Sequence, residues 1–415
     1  MRVSTMREID RWVGWPVCVG LTGVRKLGDL FGRPAPRPPG RILFVKLAEQ
    51  GSTVLAQAAI RRAVELVGRE NVFFLVLEEN RFILDVMGMI PEANVVTIRA
   101  EGLVGAFRSA LGAVREVRRL GIDAAIDLEF FARSTAALTY LSGAPMRVGF
   151  RTFRGEGPGR GDLMTHRMRY NGHLHASQTF RLMVEALEAD PSELPTFDRV
   201  PEPVEEPRVR FEPDAEEVES AKRLLAEASG VGGFEPLVLL NANASDLLPL
   251  RRWESERYVA LARRLVETYP EVRVAFTGAP AEAEKASGLV ARVGSARCFN
   301  LAGKTTLRQL MVVYGLAEVL VTNDSGPAHF ASLTPIDTVV LFGPETPKLF
   351  AAATPRTHVI WEGLACSPCV SALNDRTSTC RNNLCMQRID VDRVFERVCG
   401  ALERRRSESA APAGG

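Results

Sequence analysis

The chain is predicted to fold as an α/β protein of two doubly wound domains, and two observations carry that prediction. Short, apolar, β-branched runs alternate with longer stretches of helical period through most of the sequence. Strand and helix in regular turn require a mostly parallel sheet covered on both faces. A segment rich in Pro and Glu, "PEPVEEPRVRFEP" (201–213), has neither period and divides the alternation in two.

Before the alternation begins, "WVGWPVCVGLTGV" (12–24) forms a moderately apolar stretch between Arg11 and Arg25-Lys26, with Asp10 ahead of it and no small-residue cleavage site behind. It fits a signal peptide poorly. Two readings stand: an amphipathic segment packed on a domain, or one resting on a membrane surface through Trp12, Trp15 and the basic flanks. "RPAPRPPG" (33–40) is a proline-rich linker, and globular structure is expected from "RILFVKL" onward. The first half then reads as strands "ILFVKL", "VFFLVL", "VVTI" and "DAAIDL", with helices "TVLAQAAIRRAVELV", "GAFRSALGAVREVRRL" and "ARSTAALTYLSG" between and after them. In the second half, helical "DAEEVESAKRLLAEA" precedes strands "PLVLLNA", "VRVAFTG", "CFNLAG", "EVLVT" and "DTVVLFG", spaced by amphipathic helices. The expected division is an N-terminal segment and linker (1–40), a first domain (41–205), a second domain (206–400) and a disordered tail (401–415). Two such domains imply a cleft between them, faced by strand ends from both.

Composition bounds the function. With 46% hydrophobic and 25% charged residues and a formal net charge of +2, the 415-residue chain is globular and too balanced to suggest nucleic acid as a partner. No apolar run reaches the roughly eighteen residues that a membrane span needs. Seven cysteines, four of them between 366 and 385, do not resemble an extracellular disulfide framework, so the cytoplasm is the expected compartment.

"VTNDSGPAHFASL" (321–333) crowds Asp324, Ser325, Gly326 and His329 between an apolar strand and the start of a helix. At such a turn, unpaired backbone N–H groups favour an anion. "LNANASDLLPLRRW" (240–253) adds Arg251 and Arg252, and "TGAPAEAEKA" (277–286) adds Glu282 at the start of another helix. Guanidinium, hydroxyl and helix termini suit a pyrophosphate, and a carboxylate suits ribose hydroxyls. Neither a Walker A motif nor a GxGxxG fingerprint occurs, which points to a nucleotide sugar rather than ATP or NAD. Each residue also has a plainer reading: His329 packs in its helix, Asp324 caps it, Glu282 answers the helix dipole, the arginines lie on the surface, and His175 is structural.

These motifs, in this order, resemble the ADP-heptose:lipopolysaccharide heptosyltransferases, the family 9 glycosyltransferases. "DSGPAHFA" (324–331) is similar to the family's D-[ST]-G-x-x-H-x-A signature, and "PIDTVVLFGPETP" (335–347) to the stretch that follows it. Arg251 before Trp253, "GAPAE" (278–282), "LAGKTTL" (301–307), "ILFVKLAEQGSTVLA" and "DAAIDLEFFARSTAAL…RVGF" resemble further family blocks, over about 41–400. The resemblance implies a GT-B fold of two facing Rossmann-like domains, an acceptor held by the first and a nucleotide-sugar donor, ADP-heptose favoured, by the second. It implies inverting transfer without a catalytic metal, the leaving diphosphate stabilised by Arg251, by Ser325 and Gly326 N–H groups and by His329. The acceptor would be a lipopolysaccharide-type or lipid-linked glycan, reached at the cytoplasmic face of the inner membrane through peripheral contact.

The chain departs from the pattern in its first glycine loop, where Gly51-Ser52 replaces the family's Gly-Asp and with it the expected base. Glu49, three residues earlier, is the preferred substitute and Glu129, at the end of "AIDLEF", the runner-up. Without any base the protein would be a slow enzyme or a nucleotide-sugar-binding protein of the same fold. Finally, Cys366, Cys369, Cys380 and Cys385 have spacing C-x2-C-x10-C-x4-C. It admits a structural tetrahedral zinc site, reduced thiols or a redox pair, or an iron–sulfur cluster; a metal-stabilised interaction module is the corresponding third reading of function.

Overall fold

The computed structural model describes residues 3–32, 38–151, 159–191, 197, 209–230, 236–244 and 248–410. Two compact units make up the chain, Met1–Val204 with Ser371–Thr377, and Glu205–Val370 with Ser378–Gly415. The first contains strands β1 (Ile42–Val45), β2 (Val72–Leu77), β3 (Val95–Ile98), β4 (Ala124–Asp127), β5 (Met146–Phe150) and β6 (His166–Met168). Its helices are α1 (Val3–Trp12), α2 (Gly14–Asp29), α3 (Gln50–Val54), α4 (Gln57–Val67), α5 (Phe82–Met87), α6 (Gly102–Arg119), α7 (Arg133–Leu141) and α8 (Ala176–Glu185). The second contains β7 (Leu237–Asn241), β8 (Arg273–Phe276), β9 (Cys298–Asn300), β10 (Val319–Asn323), β11 (Asp337–Phe342) and β12 (Thr357–Trp361). Its helices are α9 (Ala215–Ser229), α10 (Ser255–Thr268), α11 (Ala283–Val293), α12 (Leu307–Leu316), α13 (Gly326–Ala331), α14 (Pro347–Phe350), α15 (Leu384–Gln387) and α16 (Val391–Ala410).

Both sheets are wholly parallel, ordered β3-β2-β1-β4-β5-β6 and β9-β8-β7-β10-β11-β12. Counted within its own unit, each has the strand order 3-2-1-4-5-6 of a Rossmann fold. The two units are therefore the pair of doubly wound domains of the GT-B class. Strands covered on both faces must be apolar along their whole length, and every residue of β1, β2, β7 and β11 is buried. In the second unit, Val238 and Leu240 pack with Leu261 and Leu265 of α10 and Val394 and Val398 of α16.

Two sequence expectations change. Residues 401–410, expected to be disordered, continue α16, because Ala401 and Leu402 are buried in the second core and Arg406 pairs with Glu271. The Pro/Glu segment lies outside the described residues from 201 to 208; beyond it, Phe211 N–H donates to the Leu333 carbonyl of the second unit.

Helix α2 is fixed to the first unit along one narrow stripe. Cys18, Thr22 and Arg25 are buried, and Gly161, at φ +71°, lets its own turn approach so closely that an added Cβ would lie 2.5 Å from Thr22 Oγ1 and 2.6 Å from the Cys18 carbonyl oxygen. Gly161→Ala, which combines that overlap with a left-handed backbone, is expected to cost about 2 kcal/mol or more. A lowered urea midpoint checks it.

Candidate functional site

In a 3-2-1-4-5-6 sheet, the crevice where ligands gather opens between the ends of the first and fourth strands. Here those pairs are β1 with β4 and β7 with β10. Most of the residues singled out from the sequence lie at one or other of these points.

At the second switch point, β10 ends in Asn323, whose side chain accepts from Trp253 N–H at 2.9 Å and donates to the Asn243 carbonyl at 3.0 Å. One buried amide thereby fixes the loop after β7, the approach to α10 and its own strand end. Asp324 follows, buried, with its N–H bonded to Leu341 of β11. Arg251 places Nε 3.5 Å from Asp324 Oδ2, donates from Nη1 to the Asp324 carbonyl at 3.3 Å, and forms a close ion pair with buried Glu345. Arg251, Asp324 and Glu345 thus form one cluster with a formal charge of −1. Glu345 carried no signal in the sequence reading, since nothing local links it to Arg251, ninety-four residues away.

Ser325 begins α13, and its hydroxyl turns back to the Asn323 carbonyl at 3.1 Å. Gly326 opens the helix and His329 is buried within it. Glu282 stands apart from the arginine cluster: Oε2 accepts the Ala279 N–H at 2.7 Å and caps its own helical turn. It nonetheless borders the same loops, because a Cβ on Gly278 would meet Glu282 Oε2 at 2.8 Å and Asn243 Nδ2 at 2.9 Å. The Gly303 N–H bonds to the Gly278 carbonyl, which brings "LAGK" alongside. Arg252 is structural, donating twice to the Ala244 carbonyl.

At the first switch point, Glu129 Oε1 accepts the Ala48 N–H at 2.8 Å and lies 3.5 Å from the ammonium of Lys46, which is wholly buried. Glu129 therefore holds the glycine loop. The loop itself turns at Glu49, which has φ +64°, a region that side chains other than Gly, Asn and Asp seldom adopt. Its carbonyl accepts both the N–H and the hydroxyl of Ser52, and its carboxylate pairs with Arg376, contributed by the returning segment Ser371–Thr377. Gly51 and Ser52 are buried in the short helix that follows. His175 caps α8, Nδ1 accepting the Ser177 N–H, as its structural reading expects.

Behind Glu129, Asp127 accepts the Glu129 N–H at 3.1 Å and the Thr135 hydroxyl at 3.1 Å, and is ion-paired with buried Arg160. Complete burial pushes the Asp127 carboxyl up to about 6, against the pull of Arg160. Neither residue of this pair stood out in the sequence.

The structure does not support the zinc site that the cysteine spacing admits. Among the described residues, no three Cys, His, Asp or Glu side chains converge where they could hold a metal. The sulfurs are engaged locally instead: Cys369 accepts from the Ser378 hydroxyl at 3.2 Å, Cys380 from the Asn383 N–H at 3.3 Å, and the Cys385 thiol donates to Asn383 Oδ1 at 3.7 Å. Burial raises the Cys385 thiol further from ionisation. None of the seven cysteines is in a disulfide.

The architecture and the two switch-point clusters define a GT-B-type protein with polar loops at both sheet ends. Residues 112–378, more than half of the chain, match the model of glycosyltransferase family 9 (heptosyltransferase), and the chain belongs to that family. It is 27% identical over 233 residues to lipopolysaccharide heptosyltransferase 2 of Salmonella typhimurium, a match covering 54% of this chain and 61% of that enzyme. The E. coli ADP-heptose lipopolysaccharide heptosyltransferase II structure superposes with a TM-score of 0.65 at 19% identity, covering 88% of this chain and 99% of that one. E. coli heptosyltransferase WaaC with ADP gives 0.60 at 17% identity, covering 87% and 99%.

For Asp127, a folded-state value near 6 lies above the unfolded value of about 3.9. Its contribution to stability is present below about pH 4 and lost as pH rises toward 6. Arg160→Met, which leaves the carboxylate buried and unpaired, is expected to cost about 3–5 kcal/mol at pH 7 and to steepen that loss. Urea titrations of both proteins between pH 4 and 8 check the sign.

Proposed function

We propose that this protein is an inverting glycosyltransferase that moves a heptose-type sugar from a nucleoside diphosphate to a lipopolysaccharide-type or lipid-linked glycan, in the cytoplasm. The observation that carries the proposal is the cluster of Arg251, Asp324 and Glu345 at the second switch point of a family 9 chain. ADP is favoured because a solved relative of the same fold was crystallised with it.

In this reading the acceptor hydroxyl attacks the anomeric carbon, its proton passes to a carboxylate of the first unit, and the sugar–phosphate bond breaks with its electron pair leaving on the diphosphate. Arg251 neutralises that charge. Ser325, Gly326 and His329 line the same turn, and Glu282 is assigned to the ribose. Glu49 is assigned as the base. Glu129 suits the role less well, since its inner oxygen is held by Ala48 and Lys46. Glu49→Gln is expected to reduce turnover by about 10² to 10⁴ with donor binding unchanged. Full activity in that variant would reject the assignment.

Arg251 is shared between two carboxylates, so a diphosphate must displace Glu345 to gain a bidentate contact. Calorimetric titration with ADP, UDP, GDP and CMP tests the donor site. Selective binding of ADP is expected, weakened in Arg251→Ala and Asp324→Ala but tightened about tenfold in Glu345→Gln, equivalent to about 1.4 kcal/mol. A second reading, a nucleotide-sugar-binding protein with little turnover, rests on the ion pairs that engage both Glu49 and Glu129, whereas the family match supports the transferase. Donor binding without transfer in the wild type would establish it.

A further inference from the structure

We infer that α2 and α6 form a face that lies on an anionic lipid bilayer. The inference stands on the polarity of these helices, independently of which sugar or nucleotide the protein uses.

A helix on a protein surface normally turns its apolar stripe inward and its charges to water. Helix α2 does the reverse. Beside Cys18, its buried stripe is polar: Thr22 donates to the Cys18 carbonyl and accepts the Asp162 N–H, and Arg25 bonds Asp162 at 2.8 Å and Asp29 at 2.6 Å. Just before it, Asp10 accepts the N–H groups of Arg133 and Ser134 and so caps α7. The outer surface is apolar, with Trp15, Val19, Val24, Leu27 and Leu30 exposed and Phe31 93% exposed. Between Val13 and Gly28, Lys26 is the one charged side chain facing outward. Thr22 and Arg25 are turned inward to fasten the helix to the unit, and apart from Lys26 the outer surface is largely hydrocarbon.

A second apolar surface lies on α6, where Leu103, Val104 and Leu111 are exposed and Phe107 is 71% exposed. The two surfaces share one side of the first sheet. Ala113 and Val117 of α6 pack in the same cluster as Leu138 of α7, Arg118 reaches the Leu141 carbonyl, and α2 lies against α7 with Cys18 and Ala136 buried together. The occupant is set by charge. Exposed Arg108 lies within the apolar part of α6 and exposed Arg115 and Arg119 follow it, outnumbering the exposed acids Glu101 and Glu116, and Arg11 and Lys26 flank the apolar part of α2. Apolar and aromatic side chains bordered by cations match the interfacial zone and headgroups of an acidic bilayer, and indole rings settle at that depth. No helix among the described residues is long and apolar enough to cross a membrane, so the contact is in the plane of the surface.

The test is co-sedimentation of the full chain with vesicles of phosphatidylcholine alone and of phosphatidylcholine with phosphatidylglycerol, at low and high salt. Binding to the acidic vesicles, reduced by salt, is expected. Trp15→Glu with Leu27→Glu, and separately Phe107→Glu, should each weaken it about tenfold or more. These side chains point outward, so melting temperatures should not fall. Absence of sedimentation with acidic vesicles, or variants that sediment as the wild type does, would overturn the inference. So would a lipid-free dimer, seen by light scattering, that the same substitutions dissociate, because a second copy would then be the occupant. Nucleotide titration is unaffected by any of these results and judges the transferase reading separately.

Discussion

The second unit depends on a single buried amide. A parallel sheet delivers its strand ends to one edge but leaves the loops beyond them unconnected, and loops cannot hold charged groups to within an ångström unaided. Asn323 supplies the connection by bonding backbone groups near both ends of the segment that joins β7 to α10. Its surroundings are dry, so leaving either partner unpaired would cost about 1–3 kcal/mol. Arg251, two residues before one of those backbone groups, takes its position from this bond. The ion pairs with Asp324 and Glu345 then follow from proximity.

The first unit solves the same problem with a different group. Glu129, just beyond β4, pins the Ala48 amide just beyond β1, as Asn323 at the end of β10 pins the loop beyond β7. The strand pair is equivalent in the two sheets. A carboxylate in this place brings a charge that must be balanced, and buried Lys46 balances it. That requirement explains why a lysine occupies the end of an otherwise apolar first strand. It also separates two acidic residues that look alike in sequence: one fastens the loop, and the other, Glu49, is presented by it.

Much of the fold was legible because the periods of strand and helix are local properties. The runs that became β1 and β2 are apolar throughout, those of β7 and β10 are apolar up to their polar last residues, and the motif around Asp324 sits where a strand gives way to a helix. What escaped was set by distant partners. Strands β6 and β12 are short or half-exposed and acquire their state only by pairing with β5 and β11. Glu345 and Arg160 look like ordinary surface residues until the chain returns them to Arg251 and Asp127. The cysteine spacing permitted a metal site, but spacing does not fix direction, and local donors and acceptors turned the sulfurs to separate tasks. In α2 the amphipathic character was evident, whereas its orientation depended on Asp162, which bonds Arg25, and on the Arg133 carbonyl, which accepts from Cys18, both more than a hundred residues away.

With Glu49 as the proposed base, its left-handed backbone sets stability and chemistry in opposition at one residue. Glycine would adopt φ +64° with no penalty, whereas a side chain with a β-carbon gives up about 1 kcal/mol to stay there. A protein refined for thermal endurance alone would therefore drift toward glycine at this position and lose the carboxylate that the turn presents. Retaining glutamate means that the loop is held against its own preference by Arg376 and Ser52. Consensus-style stabilisation of this chain would meet its limit here first, at the point where the most comfortable residue is also the one without a proton to exchange.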